Sequence, residues 1–471
     1  MTAPPAHMPT APTGTAPPPA WSPEHGAPRL ADGVELLGAY QDSGYSQPPS
    51  LLRRGDGQVI QMSPLLYQVT CRIDGWRSTA AIAELVSEDI GRSLTADQVR
   101  HLITARLVPL GVVAGQAAPA ALPTASPLLA LRARGTLLPE PAANAAAALL
   151  RPLLRWPVVV AVVASIAVVD YWLFAVRGLG AGLQEVLRDP AALLAVLGLT
   201  VVSAVFHECG HATGCRSGGA RPGVIGIGLY LLWPSFFTNV TDSYRLSRGG
   251  RLRTDLGGVY FNAVFILALA GLYAATSAPV LLLAIALTHL EMLEQMLPVV
   301  RFDGYFILSD LAGVPDLFAR VIPVLRSLLP AGHPDPRVAG LRRRARIVVT
   351  CWVLCVIPLL SVTIGYLLLH LPAINRALWR AVGLQARLMA TAAGAHDYAA
   401  AALDAVGALL LALSLAGTAY VAVGLARRVI SASLRWSAGR PARRLVAAAA
   451  TLACLAALAG YWTVQDQFHG W

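Results

Sequence analysis

Residues 201–214 read VVSAVFHECGHATG, an apolar run that ends in two histidines four positions apart with a glutamate beside the first. On a helix, positions i and i+4 stack one turn apart on the same face, so His207 and His211 can present both imidazoles to one ion. This H-E-x-x-H spacing suits Zn²⁺, which accepts neutral imidazole nitrogens and, in catalytic sites, keeps three protein ligands and one open position. Glu208 stands beside that position as a base for water. Ionisable side chains inside an apolar segment are costly and rare, and where they occur they mark function.

The surrounding composition says what kind of chain carries this helix. Of 471 residues, 56% are hydrophobic and 13% charged, with a mean hydropathy of +0.58, a balance that points to a polytopic helical membrane protein. The net charge of +11 comes from arginine alone, since the chain has no lysine. These arginines cluster in short loops between apolar runs, and no basic face is interleaved with aromatics, which argues for membrane topology and against nucleic-acid binding. Cys71, Cys209, Cys215, Cys351, Cys355 and Cys454 form no C-x-x-C pair, so they are expected to be packing residues rather than a disulfide framework. Residues 1–27 are rich in Pro, Ala and Thr and are expected to form a disordered tail.

Residues 28–115 have the character of a small α+β domain. Leu51–Leu52, the turn at Arg54-Gly55-Asp56-Gly57 and Val59–Ile60 predict a β-hairpin. Ser63-Pro64 opens a helix over Leu65–Cys71, Thr79–Val86 continues with helical spacing, and Thr95-x-x-Gln98 is a capping box before Ala96–Leu107. Val108–Val113 is expected to close the domain as a strand. This order, with Gln61-Met62-Ser63-Pro64-Leu65, resembles the winged-helix PqqD-like peptide-recognition domains of ribosomal-peptide maturation systems. A generic cytosolic regulatory domain fits the same pattern. Residues 116–148 are Ala/Pro-rich and predict a linker ending in a short helix.

Seven runs are long enough to span a bilayer: Trp156–Val176, Ala191–Gly210, Leu256–Thr276, Val280–Val300, Ile347–Leu369, Ala401–Leu425 and Leu445–Val464. Pro222–Val240 is apolar but broken by Gly223, Gly226, Gly228 and Pro234, which predicts a re-entrant or hairpin segment. Arginines precede the first run and crowd the second-to-third, fourth-to-fifth and sixth-to-seventh connections. The positive-inside rule then puts the N-terminal domain in the cytosol and the C-terminus outside. His207, Glu208 and His211 fall near the cytosolic end of their span.

A third metal ligand is needed. The fourth run also points inward and ends in Pro298-Val299-Val300-Arg301-Phe302-Asp303-Gly304, placing Asp303 at a similar depth, with Gly304 letting the backbone turn close to an ion. Asp303 could instead cap a helix or pair with Arg301, and Cys215, four residues after His211, is a rival ligand, although Gly210 and Gly214 are expected to weaken the helix there. His289, Glu291 and Glu294 are intramembrane ionisable residues with a supporting or gating role in prospect.

Together, His207-Glu208-Cys209-Gly210-His211 in an apolar run and the later Pro298 with Asp303-Gly304 resemble the site-2 protease class of intramembrane zinc metallopeptidases. Residues 233–246, WPSFFTNVTDSYRL, and 301–310, RFDGYFILSD, resemble more closely its bacterial branch of peptide zinc metalloproteases. The resemblance implies one Zn²⁺ per chain on His207, His211 and Asp303, Glu208 as general base, and a polar role for Asn262. The class usually carries Asn where this chain has Gln295, so Gln295 would position substrate with altered geometry. Residues 149–314 would then be the transmembrane metallopeptidase core, 315–345 a cytosolic loop and 346–471 C-terminal transmembrane helices. The expected activity is cleavage of a peptide or leader peptide near the cytosolic membrane face, with peptide-modification or export proteins as possible partners. The alternatives are a non-catalytic peptide-binding, immunity or export component, a protease acting on a membrane-bound regulator, and a transporter using His289, Glu291 and Glu294.

Overall fold

The structure is a computed structural model and describes residues 27–114, 132–178, 186–230, 233–328, 335–439 and 441–468. The tail expected over 1–27 lies almost wholly outside the described residues. So do positions 116–131 of the expected linker and 329–334 of the expected loop. The chain forms two compact units, one from residues 27–40 and 49–114, the other from 41–48 and 132–468.

In the first unit, β1 (Glu35–Ala39), β2 (Ser50–Arg53) and β3 (Val59–Met62) form an antiparallel sheet in that order. The β2–β3 turn follows the Arg54–Gly57 signal, with Gly57 at a φ of 83° that only glycine adopts without strain. Three helices follow: α1 (Pro64–Cys71), α2 (Thr79–Ile90) and α3 (Ala96–Leu102). Ser63 and Ser78 cap the first two, and Thr95 with Gln98 forms the reciprocal capping box on the third. Leu52, Met62, Val69, Ile82, Val86, Val99, Ile103 and Leu107 fill the core. Two features differ from expectation. β1 was unforeseen, and Val108–Val113 is not a strand: Val113 makes one isolated bridge with Leu30, because Val108, Leu110 and Val112 bond back into the helical end instead.

The second unit contains β4 (Arg132–Leu138), α4 (Glu140–Leu150), α5 (Trp156–Asp170), α6 (Pro190–Ser217), β5 (Ile225–Tyr230), β6 (Trp233–Thr238) and α7 (Arg248–Thr276). It continues with α8 (Pro279–Gln295), α9 (Asp303–Ala312), α10 (Val321–Ser327), α11 (Pro336–Ala339), α12 (Arg343–Gly394), α13 (Tyr398–Ser437) and α14 (Pro441–Phe468). Among the described residues, six helices are long and apolar enough to cross a membrane: Trp156–Arg177, Pro190–Ser217, Arg248–Thr276, Arg343–Gly394, Tyr398–Ser437 and Pro441–Thr463. The fourth run, expected to span, forms only the 17-residue α8, about 26 Å at 1.5 Å per residue against a hydrocarbon core of about 30 Å. Its helix stops before Pro298, which cannot donate the next backbone hydrogen bond. The fifth run is longer than expected, since α12 continues through Pro358 and Pro372 to Gly394, and Thr418 of α13 bonds Asn375 at 3.1 Å.

Within the expected re-entrant or hairpin segment, β5 and β6 pair antiparallel as the two arms of a hairpin, with Ile225 opposite Thr238. The stretch expected to be a linker does end in a helix, α4, but it also supplies β4, which pairs antiparallel with β5. The sheet order is β4-β5-β6. The loop 41–48 also packs within this unit: Gly44 N–H donates to the Gly313 carbonyl at 2.9 Å and Tyr45 bridges Leu341.

Helices α6 and α7 approach closely through glycine. A Cβ on Gly210 would overlap the Gly257 carbonyl, one on Gly257 the Gly210 carbonyl, and one on Gly214 the Arg253 carbonyl. Gly210-x-x-x-Gly214 is thus a small-residue helix contact. It does not break the helix as its composition suggested: α6 runs unbroken to Ser217.

Candidate metal centre

The close crossing puts one face of α7 against the two histidines. Gly258 lies under them, and a Cβ there would overlap His207 Nε2 and His211 Nε2. One turn before it, the Thr254 carbonyl is 2.8 Å from His211 Nδ1. A carbonyl can only accept, so Nδ1 carries the proton and the Nε2 lone pair of His211 faces inward.

Asp303 arrives from a different element. It is the first residue of α9, where the helix N-terminus favours a carboxylate. The turn before it is fixed by the Trp352 indole N–H, which donates to the Pro298 carbonyl at 2.7 Å. Gly304 is required at this turn, but for a different reason from the one its position suggested: a Cβ there would overlap the Met296 carbonyl. Arg301 does not take Asp303 as its partner; it lies 3.3 Å from Asp316.

His207 Nε2, His211 Nε2 and Asp303 Oδ2 form a triangle with sides of 3.0, 3.1 and 3.4 Å. A tetrahedral zinc with bonds of about 2.0–2.2 Å separates its ligand atoms by about 3.3–3.6 Å. Asp303 Oδ2 is buried, 3.1 Å from His207 Nε2, and the His211 nitrogen facing it is a lone pair. Converging acceptors of this kind repel one another unless a cation joins them, so the donor set fits a zinc ion. Cys215, the rival ligand, is buried apart from this cluster, packed with Ala220 and Leu246.

Glu208 is buried beside the triad on α6. Its Oε2 lies 2.6 Å from Thr238 Oγ1, whose hydroxyl also lies 2.9 Å from the Glu208 carbonyl. Thr238 ends β6, so the hairpin orients the carboxylate. Replacing it by valine removes the donor, and Thr238→Val should lower any peptide hydrolysis by about 10–100-fold without changing the zinc the chain takes up, while Thr238→Ser restores it. Gly258→Ala should instead weaken zinc binding, and overpacking should cost about 1–3 kcal/mol of stability in a thermal melt.

The other singled-out residues are not brought into hydrogen-bond contact with the triad. Asn262 is fully buried and neither its amide oxygen nor its nitrogen has a protein partner. Gln295 Nε2 lies 3.4 Å from Glu291 Oε1 on its own helix. His289 pairs across helices with Asp170 at 2.8 Å rather than with Glu291 or Glu294. Sequence reasoning missed Thr238, Thr254 and Gly258; the Gly257-Gly258 pair was the available signal for the last. It also missed the buried ion pair of Arg251 and Asp310 at 2.7 Å, which ties α7 to α9.

Over 110 residues, 23% of this chain, the sequence is 28% identical to the "Putative peptide zinc metalloprotease protein YydH" of Bacillus subtilis (strain 168). The chain is similar to a zinc metalloprotease. The matched stretch covers 44% of the relative's length. No protein-family model matches the chain, and no solved structure matches it. The similarity and the His207, His211 and Asp303 donor set agree on the class of metal.

Proposed function

We propose that the chain is a membrane-embedded zinc metallopeptidase of the site-2 protease kind, hydrolysing a peptide bond at the cytosolic edge of the bilayer. The observation that supports this most is the converging His207, His211 and Asp303 donor set with Glu208 held one residue away along α6. When bound, zinc would supply Lewis-acid polarisation of the scissile carbonyl and of water. Glu208 takes the proton of the attacking water and returns it to the leaving amine nitrogen, while Thr238 holds its other oxygen in place. The unpartnered amide of Asn262 has both a donor and an acceptor to offer substrate backbone, and Gln295 offers the same pair with a longer reach. β6 pairs with β5 on one side only among the described residues. Its other edge suits an extended peptide, whose backbone is open to attack where a helical one is closed. The first unit, read as a PqqD-like domain, would capture a leader peptide and raise its local concentration.

A second reading, a peptide-binding or export component without hydrolysis, is favoured by Gln295, whose amide bonds along its own helix to Glu291. The two separate in one experiment with the full chain in proteoliposomes and a precursor peptide. Cleavage that stops on chelation and returns with added zinc supports hydrolysis. Retention of uncleaved peptide, lost in Asp303→Asn but not in Glu208→Gln, supports the second reading.

A further inference from the structure

A cavity of about 630 Å³ opens between the end of α4, the turn Arg151–Leu154, the last residue of α6 and the start of α7. Three guanidinium groups line it, those of Arg151, Arg155 and Arg253, together with Ser217, and no carboxylate does. Among the described residues none of the three arginines is ion-paired; Arg253 donates only to the Ser217 carbonyl, at 3.2 Å. The Ser217 hydroxyl is buried there without a hydrogen-bond partner. Neighbouring Arg216 is engaged elsewhere, by Asn144 Oδ1 at 3.0 Å. Three unneutralised guanidiniums and an unsatisfied hydroxyl around one space form a site for an anion with several oxygens, and guanidinium forks match phosphate best.

The position of the cavity identifies the source of that phosphate. Arg155 immediately precedes the first membrane-crossing helix, Ser217 ends the second, and Arg253 lies near the start of the third. The cavity therefore opens where three spans meet the water boundary on one side. Trp156, next to Arg155, is 78% exposed, as befits an indole anchored at headgroup level. We propose that this cavity binds the phosphate of an anionic phospholipid headgroup. Ser217 lies six residues beyond His211 on α6, about 9 Å along the helix, and Arg253 adjoins Thr254. An occupied cavity would steady the two helix ends that hold the His211 imidazole.

The test uses the full chain, stripped of lipid in an uncharged detergent, with dioleoyl-phosphatidylglycerol or dioleoyl-phosphatidylcholine added. Lipid retention is read by native mass spectrometry and stabilisation by thermal melting. The phosphatidylglycerol should stay bound and raise the melting temperature, while the phosphatidylcholine should not. Arg151→Gln, Arg155→Gln and Arg253→Gln together should weaken phosphatidylglycerol retention by about 100-fold, whereas Arg343→Gln with Arg344→Gln should leave it unchanged. If the triple variant does not fold, Arg151→Gln with Arg155→Gln, both exposed, should still lose about tenfold or more. Equal retention of the two lipids, or wild-type retention by the variants, would overturn the proposal. So would full stabilisation by inorganic phosphate with no further gain from phosphatidylglycerol, which would mark a site for free anions.

Discussion

Replacing Glu208 by Gln is expected to lower peptide cleavage by about 10²–10⁴-fold, the usual worth of a positioned general base, or about 3–5 kcal/mol of transition-state stabilisation. The change is nearly isosteric, and the amide oxygen can still accept from Thr238, whose hydroxyl now lies 2.6 Å from the carboxylate. What is lost is the ability to hold a proton between the attacking water and the leaving amine. Glu208 is not among the three converging ligands, so zinc should remain at one per chain. Turnover at fixed zinc content, measured on the full chain in proteoliposomes, checks this. Wild-type cleavage by the variant with zinc still bound would remove Glu208 from the reaction.

The second large effect concerns Asp303. It is the one anionic member of the triad, and Asp303→Asn would leave a doubly charged ion on two neutral imidazoles in a buried site. Zinc affinity should fall by more than the about 10–100-fold typical of losing an outer-shell partner. The effect on stability has a direction that separates a metal site from an ordinary ion pair. With no metal bound, Asp303 Oδ2 lies 3.1 Å from His207 Nε2 and 3.4 Å from His211 Nε2, contacts that an Asn amide can also make, so Asp303→Asn should cost the metal-free chain little stability. The rise in melting temperature that zinc gives the wild type should disappear, because stabilisation by a ligand requires binding to the folded state. Chelator competition and melting with and without zinc read both effects. Cys215→Ser, made at a buried cysteine outside the cluster, should change neither.

Much of this site could be read from the chain because its signals are local. His207 and His211 share a helix, and their spacing alone puts them on one face. The caps at Ser63 and Thr95 and the turn at Arg54–Gly57 were legible for the same reason. Asp303 was reached by counting the depth of an apolar run. The structure arrives at a similar place by another route, with α8 ending early and α9 starting at Asp303.

What was not legible depends on tertiary pairing. β4 has the sequence RARGTLL in an Ala/Pro-rich region, and it is a strand because β5 offers it an edge, which no periodicity announces. Thr238 reads as an ordinary strand residue until the hairpin brings it to Glu208. Gly210 and Gly214 look like helix weakeners until Gly257 and Arg253 on α7 are seen against them. Hydropathy located the membrane runs, but it could not tell that Pro298 would cut the fourth short or that α12 would continue past the arginines at 376 and 380.

Whether His207, His211 and Asp303 hold one zinc ion is tested most directly by X-ray absorption at the zinc K edge, on the zinc-loaded full chain. The expected spectrum has two imidazole nitrogens and carboxylate oxygen at about 2.0–2.2 Å, at one zinc per chain, with zinc binding sharply weakened in His207→Ala and one imidazole left on any zinc still bound. A sulfur shell at about 2.3 Å, or zinc bound equally well by His207→Ala, would contradict it.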